Sequence, residues 1–410
     1  MAGIELGYYV KVDDAELYTL KSKYFPNKVG GKPAWLSLKN LPKQDDLRCK
    51  ECNSLCKFLL QIYSPTKEEN GYHRSIFLFY CPNGSCSIKN TDKKCTAFRS
   101  QLPKSNEFYS YDSDSENEDT CDKPSASDYN KLCNVCGYIG PLHCGACKKV
   151  FYCGKAHQTL DWKQGHKKAC KISQYYKNEY PLPEGEIAIE PEPTEKKAED
   201  QESSLNTENM EPTMQDVPAS QLEQFAQQED VVFSKFKERI SREPHQVLRY
   251  GEEKPLWVGK EVPANIPPCS SCGAPRTFLF QVMPQLLNHL RSEELDWGTL
   301  AVYICSKSCD GTDPLDYHPE YVWQQDYDDL RTVEFITGRK HRWSSYTPGS
   351  AEPNRLQVLY MSSGHKFHGA YVQLAITEQA DVESSACSSL CFPHPNGPRH
   401  SAILLISSER

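Results

Sequence analysis

The chain has 410 residues, 38% of them apolar types, with 47 Lys and Arg against 55 Asp and Glu for a net charge of −8. That is material for two or three modest cores, and the longest apolar runs, such as Phe58 to Leu60 and Ala402 to Ile406, fall far short of the roughly 20 residues that cross a bilayer. The Met-Ala-Gly-Ile-Glu start carries neither a basic-plus-apolar leader nor a Met-Gly acylation signal, so the expected setting is inside the cell. There, thiols stay reduced, and nineteen cysteines point to metal ligation rather than to disulfides.

Residues 1–106 read as the first half of a β-rich domain. Phe58 to Tyr63 and Ser75 to Tyr80 are short, aromatic and β-branched, which is strand chemistry. Residues 107–129 contain Tyr111-Asp-Ser-Asp-Ser-Glu-Asn-Glu-Asp119 and read as an acidic disordered segment, because such a sequence buries too little surface to offset chain entropy. A cysteine-rich finger spans 130–172, and 173–220 reads as an acidic disordered linker. Between Glu179 and Asp230 stand fifteen Asp or Glu against two Lys, a local charge of −13 that leaves the rest of the chain near +5. The acidity is a property of the tether, and a mildly basic folded part beside it suits a basic protein partner.

Over residues 221–330 the periodicity predicts a helix and then a second β-rich half. Ser220 to Glu223 has capping-box form, and Phe225, Val232, Phe233, Phe236 and Ile240 recur at helical spacing. The helix stops before Pro244, and a short helical turn is expected over His245 to Tyr250. Phe278 to Val282 and Thr299 to Ile304 are strand segments. Residues 331–410 read as an atypical, disordered tail, with Gln357 to Tyr360 as its one strand-like stretch and Cys387 and Cys391 as its only cysteine pair.

The two ends of the chain repeat each other. Cys49, Cys52, Phe58, Leu59 and Gln61 return 220 positions later as Cys269, Cys272, Phe278, Leu279 and Gln281. Lys32-Pro33-Ala34-Trp35 answers Lys254-Pro255-Leu256-Trp257, Cys81 and Cys86 answer Cys305 and Cys309, and Gln101 and Gln325 lie at like distances beyond. A divergent duplication follows, and two halves with open strand edges gain by pairing. The expected fold is mostly β with a small α content: duplicated half-domains form one composite domain, with the finger and acidic linker as insertions. Cys49, Cys52, Cys81 and Cys86, and likewise Cys269, Cys272, Cys305 and Cys309, could each clasp one zinc or serve as small buried apolar residues. Cys56 and Cys95 lack counterparts and read as packing residues.

In the finger, Cys133, Cys136, Cys144, Cys147, Cys153, His157, His166 and Cys170 place eight thiolate or imidazole donors within 38 residues. A segment so short has almost no core of its own, and zinc, which takes four such donors, would supply most of its folding free energy, about 10 kcal/mol or more. Order and spacing, with Phe151-Tyr152-Cys153 and Asp161-Trp162-Lys163-Gln164-Gly165-His166, resemble the MYND zinc finger. The resemblance implies interleaved sets: Cys133, Cys136, Cys153 and His157 on one zinc, and Cys144, Cys147, His166 and Cys170 on the other. His157 stands where most members carry Cys, a swap that zinc tolerates. Neither set leaves a position for water, so both ions are expected to be structural.

The wider chain resembles the programmed cell death protein 2 family. The segments that carry this are Phe25 to Trp35, His73 to Phe79, Phe98 to Pro103, Phe108 to Tyr111, His157 to Trp162, Arg249-Tyr250-Gly251, Phe280 to Leu287 and Asp296-Trp297-Gly298. It runs from about residue 5 to residue 328, and no function is carried onto the tail. The resemblance implies a non-enzymatic chaperone for a newly made small-subunit ribosomal protein, number five in the universal nomenclature, in 40S ribosome biogenesis. Links to cell proliferation, stem-cell maintenance and apoptosis come with it, as does a cytoplasmic location with nuclear shuttling. The alternative is an adaptor whose finger grips proline-containing peptides of transcriptional corepressors.

An enzyme is not expected. A SET-type methyltransferase, the other common host of such fingers, needs an Asn-His-Ser-Cys-type segment, and here Asn288-His289 is followed by Leu-Arg-Ser. No nucleophile elbow, Walker loop, zinc-protease helix motif or dinucleotide turn is present. His73, His143, His245 and His318 lie apart and read as surface or hydrogen-bonded histidines. Direct specific nucleic-acid binding is not expected either, because Lys148-Lys149 and Lys167-Lys168 make only a small basic patch with no recognition helix.

Overall fold

The strand segments read as near-continuous apolar runs because their two faces serve two different cores. Side chains alternate across a strand. Accordingly Ile76, Leu78 and Tyr80 join the cluster of Leu60, Ile62, Val282 and Leu300, while Phe77 and Phe79 join Trp35, Phe58 and Phe98 in another. The computed structural model describes residues 3–109, 124–172, 176, 182–193, 231–292 and 294–327. In chain order the strands are β1 (Glu5–Val10), β2 (Lys28–Val29), β3 (Lys57–Tyr63), β4 (His73–Tyr80), β5 (Cys95–Leu102), β6 (Leu142–His143), β7 (Phe151–Tyr152), β8 (Gly185–Pro191), β9 (Gln246–Tyr250), β10 (Arg276–Val282), β11 (Thr299–Cys305) and β12 (His318–Gln325).

Ten of these close into an antiparallel barrel in the order β1-β8-β2-β3-β4-β5-β12-β11-β10-β9. The mostly β fold and the composite of two halves are as expected. One seam joins the last strands of the halves, with His318 opposite Arg99 and Glu320 opposite Ala97. At the other, β8 and β1 bridge β2 to β9. Closure removes the strand edges that either half alone would expose.

The duplication extends to backbone irregularities. The β3–β4 register shifts between Phe58 and Leu60, and the β10–β11 register between Phe278 and Phe280, at equivalent positions. From Gln61 opposite Phe77 and Gln281 opposite Ala301, the ladders place Phe98 level with Trp323 and Ser100 level with Gln325. Gln101 is therefore one residue out of step with Gln325. They make different bonds: Gln101 donates to the Ser308 carbonyl, whereas Gln325 accepts from the Val258 N–H.

Several expectations are corrected. His245 to Tyr250 is not a helical turn: Val247 and Leu248 are buried and Gln246–Tyr250 pairs with β1 and β10 as β9. Sheet pairing on both sides outweighs local propensity. Gly185–Pro191, assigned to the acidic linker, is the barrel strand β8, whose alternation puts Ile187 in the core and Glu186 in solvent. A few apolar residues at period two sufficed within an acidic run. The ends of the 107–129 segment are likewise ordered, with Phe108, Tyr109 and Ala126 buried and the Tyr109 hydroxyl donating to the Leu36 carbonyl at 2.8 Å.

Three helices are used below: α1 (Lys155–Asp161) and α2 (Lys167–Ile172) in the finger, and α3 (Val231–Ser241). The last packs Phe236 and Ile240 on Val258, Met283 and Tyr327. Ser220 to Glu223, Phe225, most of both acidic runs and the whole 331–410 tail with Gln357 to Tyr360, Cys387 and Cys391 lie outside the described residues.

Candidate metal centres

Each of the four Cys-x-x-Cys segments folds into the same turn. The residue after the second cysteine takes positive φ: Asn53 at 59°, Gly137 at 74°, Lys148 at 57° and Gly273 at 70°. Its N–H returns to the carbonyl of the first cysteine, at 2.9 Å in all four cases. The first cysteine's own N–H then donates forward, from Cys49 to Ser54, Cys133 to Tyr138, Cys144 to Val150 and Cys269 to Ala274. For a β-carbon-bearing residue such as Lys148 the left-handed conformation costs about 1–2 kcal/mol. The strain brings two thiols to one side of a tight loop.

These turns assemble into four donor sets whose ligating atoms all lie within 4.8 Å of one another: Cys133, Cys136, Cys153, His157; Cys144, Cys147, His166, Cys170; Cys49, Cys52, Cys81, Cys86; and Cys269, Cys272, Cys305, Cys309. The two finger sets interleave along the chain, in the pairing that the resemblance implied. The flanking sets also converge, one at each repeat. Sulfur separations include Cys136–Cys153 at 3.7 Å, Cys144–Cys170 at 3.8 Å, Cys49–Cys86 at 3.9 Å and Cys269–Cys309 at 3.7 Å. The edge of a tetrahedron with metal–sulfur bonds of roughly 2.3 Å is about 3.8 Å, whereas a disulfide needs about 2.05 Å. The donor chemistry and spacing fit a thiophilic metal ion in every set.

Local structure aims the two histidines. His157, in the first turn of α1, points Nδ1 at Cys153 Sγ (3.1 Å) and Cys133 Sγ (3.6 Å). A single π-turn over Trp162–His166 separates α1 from α2, and such an insertion rotates the next residues relative to the preceding helix. His166 is thereby buried with Nε2 at 3.6 Å from Cys147 Sγ. Asp161, fully buried, locks this bend by accepting from the Tyr152 hydroxyl at 2.6 Å, the Tyr176 hydroxyl at 2.8 Å and the Asn134 amide at 3.1 Å. Sequence reading passed over Asp161 as an organiser. Its position beside Trp162 was visible, but a buried carboxylate is recognisable only once its donors are placed.

Cys56 and Cys95 join no donor set among the described residues. Both are buried, and burial pushes both thiols well above their ordinary range, so they act as small neutral core residues. His73, His143, His245 and His318 likewise enter no such cluster. His73 stacks on Phe25 with Nδ1 at 3.0 Å from the Tyr63 hydroxyl.

Comparison with known proteins matches residues 3–116 to the Programmed cell death protein 2, N-terminal domain, 230–326 to the Programmed cell death protein 2, C-terminal putative domain, and 133–170 to the MYND finger. The chain is 42% identical to Programmed cell death protein 2 of Rattus norvegicus over 79% of its own length and 96% of that protein. The chain belongs to the programmed cell death protein 2 family. It is also 41% identical to Programmed cell death protein 2-like of Homo sapiens over 20% of the chain and 24% of that protein. To Probable 20S rRNA accumulation protein 4 of Schizosaccharomyces pombe it is 22% identical over 67% of the chain and 87% of that protein. No solved structure matches.

In this programmed cell death protein 2 family member the MYND finger is part of the barrel's own packing, not a module held on a mobile tether. Val135 and Tyr138 share a buried cluster with Trp35 and Phe79. The Trp35 indole N–H donates to the Gly137 carbonyl at 2.9 Å, the Tyr138 hydroxyl to the Cys56 carbonyl at 2.9 Å, and the Gln44 amide to the Cys153 carbonyl at 2.8 Å. The Tyr138 ring meets Phe79 edge-on with centroids 5.8 Å apart. An apolar turn between two ligand cysteines, Gly137-Tyr138-Ile139, was the available sequence signal for this docking.

Proposed function

We propose that the chain is a non-enzymatic, zinc-holding chaperone for a newly made small-subunit ribosomal protein, number five in the universal nomenclature, acting in 40S ribosome biogenesis. The observation that carries this reading is the similarity, over two thirds of the chain, to a yeast protein named for 20S rRNA accumulation. Each donor set offers four protein ligands, so zinc in them would have no open position for a reacting water and would serve the fold. Two ions in the finger and one in each flanking set are the proposed complement. The acidic runs, Asp112 to Asp122 and Glu179 to Asp230, supply negative charge that competes with RNA for a basic client. Strand addition to the barrel is not the capture mode, because the barrel has no free edge. The client is taken up in the cytoplasm, and the complex shuttles to the nucleus.

The test is co-expression of the full chain with the free ribosomal protein, followed by native mass spectrometry at moderate salt. A one-to-one complex that shields the client from added RNA is the expected result, and a client that stays unbound and aggregates would overturn the reading. A second reading, a corepressor adaptor, draws support from the half-exposed Leu160 and Trp162 on the finger's outer helices. Under it, the Leu160→Ala and Trp162→Ala pair abolishes binding of proline-containing peptides.

A further inference from the structure

The two flanking donor sets stand at opposite ends of the β5–β12 seam, and each half holds the other's metal loop. Cys81 and Cys86 lead from β4 towards β5, and Cys305 and Cys309 from β11 towards β12. By the register established above, Arg99 and Gln101 of β5 are equivalent to Gln324 and Asp326 at the end of β12. Arg99 donates to the Cys309 carbonyl at 2.8 Å, and Gln101 donates to the Ser308 carbonyl at 2.8 Å and to the Asp310 carboxylate. In return Gln324 exchanges both backbone hydrogen bonds with Thr91, at 2.8 and 2.9 Å. Asp326 accepts from the Asn90 N–H at 2.7 Å, and its own N–H donates to the Asn90 side chain at 2.8 Å.

The gripped residues are strained. Asn90 and Ser308 hold φ of 46° and 44°, a left-handed conformation that a β-carbon disfavours. Each grip lies close to metal ligands. Ser308 directly precedes Cys309, and its hydroxyl accepts from Arg74 of the first half at 2.9 Å. Lys93, two residues beyond Thr91, accepts from the Lys50 N–H at 3.0 Å and lies 3.5 Å from the Cys49 thiol. From this reciprocity we infer that the two flanking sets bind zinc cooperatively, through closure of the seam between them. A loop that has closed on its ion offers the opposite half a fixed partner to grip. The seam that closes on it then presents the other loop with its thiols already converged, so that loss of either ion loosens both sites. The inference rests on the reading that each flanking set holds zinc.

The test is a chelator titration of the zinc-loaded full chain, with each freed thiol trapped by iodoacetamide and assigned by peptide mass spectrometry. Cys272→Ala removes one ligand of the second set, and Cys49, Cys52, Cys81 and Cys86 are then expected to open at about tenfold lower chelator. Cys52→Ala shifts the second set by the same factor, because coupling between binding sites is reciprocal. The finger thiols keep their midpoint in both variants and report on general unfolding. Gln101→Ala combined with Asp326→Ala keeps every ligand and loosens both grips. In that background Cys272→Ala no longer shifts the first set. Unshifted midpoints in the two cysteine variants overturn the inference and leave the zinc reading intact. A shift shared equally by the finger thiols, or one that persists when the grips are loosened, overturns it as well. A parent chain that loads only about two ions overturns the inference and the zinc reading together.

Discussion

Gln61 and Gln281, 220 positions apart, make the same pair of hydrogen bonds. Gln61 accepts from the Ala34 N–H at 2.8 Å and donates to the Ala34 carbonyl at 3.1 Å. Gln281 does the same with Leu256, at 2.5 and 3.0 Å. Both glutamines are buried on their strands, and each closes the backbone of the loop that carries the tryptophan next in sequence, Trp35 or Trp257. The side chain substitutes for a strand that is missing at that point, and so fixes where each aromatic face begins.

Replacing either glutamine with leucine leaves a backbone donor and acceptor without partners at a buried site. Gln61→Leu and Gln281→Leu are each expected to destabilise by about 2–4 kcal/mol, and their effects to add because they share no partner. Urea unfolding of the two single variants and the double variant measures this. A loss confined to one of them would mean that the repeat is structural in only one half.

Metal content separates four zinc sites from two. Purified full chain is expected to carry about four zinc ions by elemental analysis, and Cys52→Ala or Cys272→Ala to carry one fewer each, since three remaining donors hold zinc much less tightly. A content of two in the parent chain, unchanged in both variants, would leave the flanking sets as reduced cysteines that hold no metal. Chelation is expected to lower the unfolding temperature of the barrel as well as of the finger, because Cys81 and Cys305 directly follow or end the barrel strands β4 and β11.

What the sequence revealed divides by the range of the interactions. The ligand spacing around Cys133 to Cys170 and the duplication anchored on Gln61 and Gln281 are local patterns, and both could be read directly. Strands with apolar runs, such as Phe58 to Tyr63, were equally visible. Gln246–Tyr250 and Gly185–Pro191 were misread because their strand character comes from partners far along the chain, Glu5–Val10 above all. The docked finger escaped for the same reason: Tyr138 looks like an exposed turn aromatic until Trp35 is placed beneath it.

The Arg99–Glu320 pair fastens the two halves at the β5–β12 seam. Both side chains are at most 1% exposed, with Arg99 Nε donating to Glu320 at 2.8 Å. The second carboxylate oxygen of Glu320 accepts from the Cys305 N–H at 3.0 Å and from Arg276 at 3.1 Å. Glu320→Gln removes the charge that balances two guanidinium groups, and breaking a buried pair in this way costs about 3–5 kcal/mol. Because Cys305 and Cys309 belong to the neighbouring donor set, the variant is also expected to release its zinc earlier in a chelator titration. A stability change below about 1 kcal/mol would mean that water screens the pair.

Tyr138 tests whether the finger stabilises the barrel or merely sits upon it. Its ring is 2% exposed, lies over Trp35 and Phe79, and hydrogen-bonds the Cys56 carbonyl. Tyr138→Ala empties that position without touching a metal ligand. The expected cost is about 3–5 kcal/mol by analogy with other buried aromatic truncations, with zinc content unchanged because the eight finger donors remain. Hydrogen exchange provides the decisive readout: faster exchange in Lys57–Tyr63 and His73–Tyr80, the strands beneath Tyr138, shows that the finger supports them. If exchange accelerates only within residues 133–170, the barrel strands hold without the finger, and its packing on Trp35 and Phe79 serves the finger alone.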